Sequence, residues 1–172
     1  DWRPTYYTLL DWKMGPAVAP DVDQYADSIK FFPERFRGLL PGGAETYWYA
    51  PRKVGKHIDD QFDPNITEGI PSSGTVLMTA IQQAFFLGFR DIILIGVDAA
   101  YSIPASVRQE GPDINRTGTK LHLTSTANDD PNHFDPAYFG AGDRWHDPNV
   151  DEMRRMFKLM RKGVTRHGGT LR

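Results

Sequence analysis

The sequence predicts an α/β protein with a mostly parallel sheet and helices on both faces. Three observations predict it. Leu77, Ile81, Ala84 and Phe85 recur at helical spacing, the apolar stripe of a helix lying on a sheet. Gly88 follows where a helix ends in left-handed geometry. Ile92-Ile93-Leu94-Ile95 is a continuous β-branched and leucine run, as expected of a strand covered on both faces, and it leads into Gly96-Val97-Asp98. Ligands of open parallel sheets bind outside the carboxyl ends of the strands. Asp98 and Tyr101 are expected at that edge. Asp98 would there hold a ribose or sugar hydroxyl or a metal, or simply accept backbone N–H bonds in the next turn. The segment Ser72-Ser73-Gly74-Thr75 enters the helix, where free N–H groups favour an anion.

The other elements follow in order. Thr5 to Trp12 is rich in Tyr, Thr, Leu and Trp and reads as a strand, with a break at Gly15-Pro16. Asp21 or Asp23 can cap a helix running to about Phe32, before Pro33. Glu45 to Tyr49 reads as a short strand; Tyr47, Trp48 and Tyr49 could stack a base or sugar, but alternation on a strand favours packing in the core, and residues 51–71 read as irregular. Residues 102–148 are full of Pro, Gly, Asn and Asp and too long for an ordinary connector, so they read as a lid or binding loop. A last helix has Asp147 as cap, Pro148 in its first turn, and Val150, Met153, Phe157, Met160 and Val164 as its buried stripe. Asp1 at the start and Gly169-Thr170-Leu171-Arg172 at the end, which reads as the beginning of a strand, suggest a piece of a longer chain.

At 172 residues the chain can build one domain with a real core. A formal net charge of -2, without a long basic run, speaks against a nucleic-acid footprint. There is no cysteine, hence no disulfide and no thiolate site. No apolar run approaches membrane-spanning length and no signal peptide is visible, so a cytoplasmic location is expected, peripheral to the inner membrane at most.

The chemistry concentrates in Asn128 to Phe139, which combines carboxylates, His133 and aromatic rings. An imidazole can take a proton from a hydroxyl acceptor near neutral pH, with Asp135 or Asp130 orienting it. The plainer alternative is an ordered loop whose polar side chains cap its own backbone. Asp21-Val22-Asp23 and Asp129-Asp130 are weak metal patterns without a third ligand, and His57, His122 and His146 lack the spacing of a zinc site. Asn65-Ile66-Thr67 and Asn115-Arg116-Thr117 match the glycosylation acceptor pattern but come without a secretory signal.

Arg3-Pro4-Thr5-Tyr6-Tyr7 with Asp11, Ser73-Gly74 with Leu87 to Asp98, and Asn132-His133-Phe134-Asp135-Pro136-Ala137-Tyr138-Phe139 together resemble the MptE-like family of Rossmann-type proteins. The order of elements is similar to that of bacterial sialyltransferases that use CMP-sialic acid. The resemblance implies a single Rossmann-like domain over residues 1–172, lacking the family's first strand–loop–helix unit. It implies His133 as catalytic base and Tyr101 as the tyrosine that assists the leaving phosphate. Ser72, Ser73, Gly74, Thr75 and Asp98 would bind the nucleotide, with Asn132, Asp135 and Tyr138 as loop contacts. The sialyltransferases carry an Arg before the Ser-Gly loop, where this chain has Glu68-Gly69-Ile70-Pro71.

The expected function is therefore a nucleotide-sugar-dependent glycosyltransferase acting on a glycan or other hydroxyl acceptor, in surface glycan or flagellin glycosylation. It would need no cofactor and no metal. One alternative is an MptE-like 6-hydroxymethylpterin pyrophosphokinase using ATP and magnesium. Another is a binding protein without catalysis. A homo-oligomer is left open.

Overall fold

The computed structural model describes residues 3–11, 15, 19–20, 22–53, 61–72, 75–112, 121–146 and 148–172. The chain divides into two compact units, residues 1–97 with 152–172, and residues 98–151.

In the first unit, β1 (Tyr6–Thr8), β2 (Ile29–Pro33) and β3 (Thr46–Tyr49) form a parallel sheet in that order. Alternation sends Phe32 to one face, where it joins Leu9, Val22, Phe36 and Leu40, with Tyr7 and Trp48 packed alongside. The other face carries a ladder of rings, Tyr6 beside Phe31 and Phe31 stacked on Tyr47 at 5.6 Å. Tyr49 is buried, and its hydroxyl donates to the Leu9 carbonyl at 2.9 Å. β4 (Pro51–Arg52) and β5 (Ile70–Pro71) make a short parallel pair.

α1 (Val76–Phe86) begins at Thr75, whose Oγ1 accepts from the Leu77 amide, and it ends in a left-handed glycine. Gly88 has φ +102, its amide donates to Phe85, and the Phe89 amide reaches back to Ala84. That is the helix stop read from the sequence. α2 (Val150–Arg166) supplies the other half of a core built from Phe62, Met78, Ile81, Phe85, Met156, Met160, Val164 and Leu171. The buried stripe of α2 runs through Met156, Met160, Gly163 and Val164, with the expected Met153 and Phe157 only half buried. Gly163 is required there, because a Cβ would lie 2.3 Å from Phe62 Cγ.

The mostly parallel, Rossmann-like sheet with helices on both faces is not what forms. Among the described residues the strands fall into four small sheets, one of them antiparallel. Strand β6 is only Asp91–Ile92 and pairs with β10 (Thr170–Leu171) alone. Ile93 is 62 % and Ile95 89 % exposed, so Ile92 to Ile95 is not a buried central strand. Ile92 and Leu94 pack on the α1–α2 core, and nothing among the described residues covers the alternate side chains. A continuous apolar run means burial on both faces only when both faces receive a layer. The helix expected up to Phe32 is also corrected: Asp23–Tyr25 is a single 3₁₀ turn and Ile29–Pro33 is strand β2. The β-branched and aromatic side chains of Ile29, Phe31 and Phe32 suit a ladder between two parallel neighbours better than a helix face.

The second unit contains β7 (Arg108–Pro112), β8 (Leu121–Thr124) and β9 (Arg144–His146), an antiparallel sheet with a bulge between Glu110 and Pro112. It lies within the stretch expected as a lid or loop. Leu123 and Trp145 pair across β8 and β9 and are both buried. His122 and His146 pair on the opposite face, with ring centroids 4.8 Å apart.

Candidate active site around His133

Residues 128–143 form a chain of tight turns in the second unit. The Asp130 amide donates to Pro136, the Tyr138 amide to Asp135, and the Gly140 amide to the Asp143 carboxylate. Gly140 has no room for a side chain, since a Cβ would meet Asn128 Oδ1 at 2.9 Å. These closures present His133 on a rigid backbone.

His133 Nδ1 lies 2.6 Å from Asp130 Oδ2. The Asp130 side chain is 4 % exposed and that of His133 30 %. Burial pushes the Asp130 carboxyl up. Hydrogen bonds from the Asn132 amide, His133 and the Asn132 side chain outweigh that and hold it below its ordinary value. Asp130 is therefore ionised at neutral pH and can only accept. The proton of a neutral His133 then sits on Nδ1, which leaves the Nε2 lone pair as the base.

Aromatic rings fix the imidazole plane. Tyr138 stacks on it at 3.9 Å with planes 16° apart, and Phe139 meets it edge-on at 5.3 Å. Phe139 in turn stacks on Trp145 at 4.9 Å, and Trp145 Nε1 donates to Ser125 Oγ at 3.0 Å. Tyr101 packs against both His133 and Trp145. Burial pushes its phenol far above the ordinary tyrosine value, with the Asp130 and Tyr138 charges acting in the same sense. It stays protonated, and its buried hydroxyl has no partner among the described residues.

Asn132 ties these parts together. Its Oδ1 accepts from the Ser102 amide at 2.8 Å, and its Nδ2 donates to the Ser102 carbonyl at 2.8 Å and to Asp130 Oδ1 at 3.1 Å. One amide thus pins the backbone next to Tyr101 and orients the carboxylate behind His133.

The other expected residues behave differently. Asp135 is exposed and its Oδ1 accepts from the Ala137 amide, so Asp130, not Asp135, orients the histidine. Asp98 is also exposed, and its Oδ1 accepts from the Ala100 amide at 3.4 Å across Ala99, whose φ is +47. It does not cap a buried strand. Ser72 turns inward: its amide donates to Arg52 and its hydroxyl bonds Thr79 and the Ile70 carbonyl. Thr75 is the cap of α1. Ser73 and Gly74 lie outside the described residues, as do His57, Asp21, Asp147 and the Asn115 acceptor pattern. Asp129 accepts from the Ser106 hydroxyl. Among the described residues no group of three or more His, Cys, Asp or Glu is placed to hold a metal ion.

Ser125, the Ser102 backbone and Trp145 are the parts of this site that sequence reasoning missed. Only the aromatic content of residues 134–145 hinted at the last of them. Comparison with protein-family models, curated proteins and solved structures gave no match. Among the described residues no helix is long and apolar enough to cross a membrane.

Proposed function

We propose that this protein is a transferase that activates a hydroxyl acceptor, with a nucleotide sugar as donor in the manner of the CMP-sialic acid enzymes. The observation that carries the reading is the His133–Asp130 pair, an imidazole oriented through Nδ1 by a buried carboxylate at 2.6 Å, with the His133 side chain 30 % exposed. Nε2 takes the proton of the acceptor hydroxyl as its oxygen forms a bond to the anomeric carbon. The bond from that carbon to the nucleotide phosphate breaks, and the phosphate leaves with the electron pair. Tyr101 supports this reading as a neutral phenol beside His133, able to donate to a leaving phosphate oxygen once a ligand uncovers it.

The test is nucleotide release from a panel of CMP-, UDP- and GDP-sugars with and without an oligosaccharide acceptor. Release should depend on the acceptor and fall by ~10²-fold or more in His133→Ala, with donor KM nearly unchanged. If no donor supports acceptor-dependent release, or if His133→Ala keeps turnover within a few-fold, the reading is wrong. Magnesium-dependent AMP release from ATP with 6-hydroxymethylpterin would replace it with the pyrophosphokinase.

A further inference from the structure

We propose that His122 and His146 chelate a borderline divalent transition cation, with Zn²⁺ as the type. The antiparallel register places the two residues directly opposite each other, His122 on β8 and His146 on β9. Their spacing in the sequence is not that of a zinc site, and strand pairing alone brings them together. Directly opposed residues share one face of a sheet, where their side chains can touch. Leu123 and Trp145, one position away on each strand, point to the other face and are buried. The two histidines stand on the less buried face, each partly exposed.

The separation of the rings fits a shared ion. Their centroids lie 4.8 Å apart and their planes are inclined by 59°, so they do not stack face to face. A metal–nitrogen bond of about 2.1 Å and an imidazole radius of about 1.1 Å put each centroid about 3.2 Å from an ion, and ligand angles of about 90–110° then separate two centroids by about 4.5–5.2 Å. The observed distance lies within that range. Imidazole carries nitrogens on two sides, and either Nδ1 or Nε2 can ligate. Two such ligands select Zn²⁺, Ni²⁺ or Cu²⁺ over Mg²⁺ and Ca²⁺, which prefer oxygen. Glu110 follows in the same cross-strand row, but its carboxylate is held by the Thr124 hydroxyl and by Arg144, so water completes the coordination. The ion would clip together the two strands that carry Leu123 and Trp145, and Trp145 is the ring on which Phe139 stacks. This inference does not rest on the reading of His133.

The test is a titration of the untagged full chain with zinc chloride, with the ring nitrogens of all five histidines followed by NMR. The signals of His122 and His146 should move together and saturate at one ion per chain, with a Kd of roughly 1–100 μM for half of a full zinc ligand set. Magnesium chloride should move neither. His122→Thr and His146→Thr, which keep a strand-forming side chain, should each weaken binding by ~10-fold or more, because the second ligand no longer binds at high effective concentration. Zinc should raise the melting temperature of the parent and of neither variant. The proposal is overturned if zinc moves the two histidines at different concentrations or not at all, as a plain ring contact between strands predicts. It is equally overturned if either folded variant keeps the parent's affinity within a few-fold. The first reading is made on the parent chain, so it stands even where a variant fails to fold.

Discussion

Asp130 and Asp135 flank His133 at comparable sequence distance, and nothing in the residues chooses between them. Both carboxylates accept the amide two residues on, Asp130 from Asn132 and Asp135 from Ala137. Burial makes the choice: Asp135 is exposed, whereas Asp130 faces inward and its second oxygen meets His133. Replacing Asp130 by Asn leaves packing nearly intact but lets the His133 proton move to Nε2, so turnover should fall by ~10- to 100-fold. The same variant has a stability signature. The Asp130 carboxyl is held below its ordinary value in the folded chain. Its contribution is present above that ordinary value of about 4, and it is lost as the pH falls through the lower folded value. Acid unfolding followed by Trp145 fluorescence should be less steep in Asp130→Asn. An unchanged acid transition would show that the pair contributes nothing to the fold.

At the scale of elements, α1 and α2 were legible because each carries an apolar stripe and α1 its own glycine stop. Gly88 ends α1 at the position its sequence indicates, and Met160 and Val164 sit in the core as expected. The side of α2 that is most tightly packed was not legible. It is set by Phe62, which reaches α2 from a distant part of the sequence and stands where a Gly163 side chain would be. Gly163→Ala should therefore destabilise the chain by about 1–3 kcal/mol in urea unfolding despite the gain in helix propensity. A neutral or stabilising effect would mean that Phe62 yields easily. Strands were less legible than helices. The residues of β2 alternate around a buried Phe32 but follow a helix-capping signal at Asp21 and Asp23, and the pairing with β1 and β3 overrides it.

At the scale of the whole molecule, the phenols of Tyr49 in the first unit and Tyr101 in the second both have a raised titration point. Burial is the leading cause for both. A raised value means that the folded state favours the protonated form. The stability is then complete below the ordinary tyrosine value of about 10 and declines as the pH rises above it. Absorbance at 295 nm should show these two tyrosines ionising only as the chain unfolds. Tyr49→Phe and Tyr101→Phe should each flatten the alkaline loss of stability, and normal titration of both phenols in the folded chain would refute the assignment.

Read alone, the residues specify local features: the helices Val76–Phe86 and Val150–Arg166, the glycine stop of the first, the strand at Thr46–Tyr49, and a loop in which His133 stands among carboxylates and rings. Each depends on neighbours within a few residues, where propensity, capping and periodicity act. Tertiary structure decided the rest. It divided the described strands among four sheets in place of the expected one, left Ile93 and Ile95 in solvent, gave Asp130 to His133, and used Asn132 to pin the chain at Ser102. The physical reason is the same in each case. An apolar run states only that burial is favourable, and a polar side chain only that it needs a partner. Which surface covers the one and which group satisfies the other depends on segments that meet only when the chain has folded.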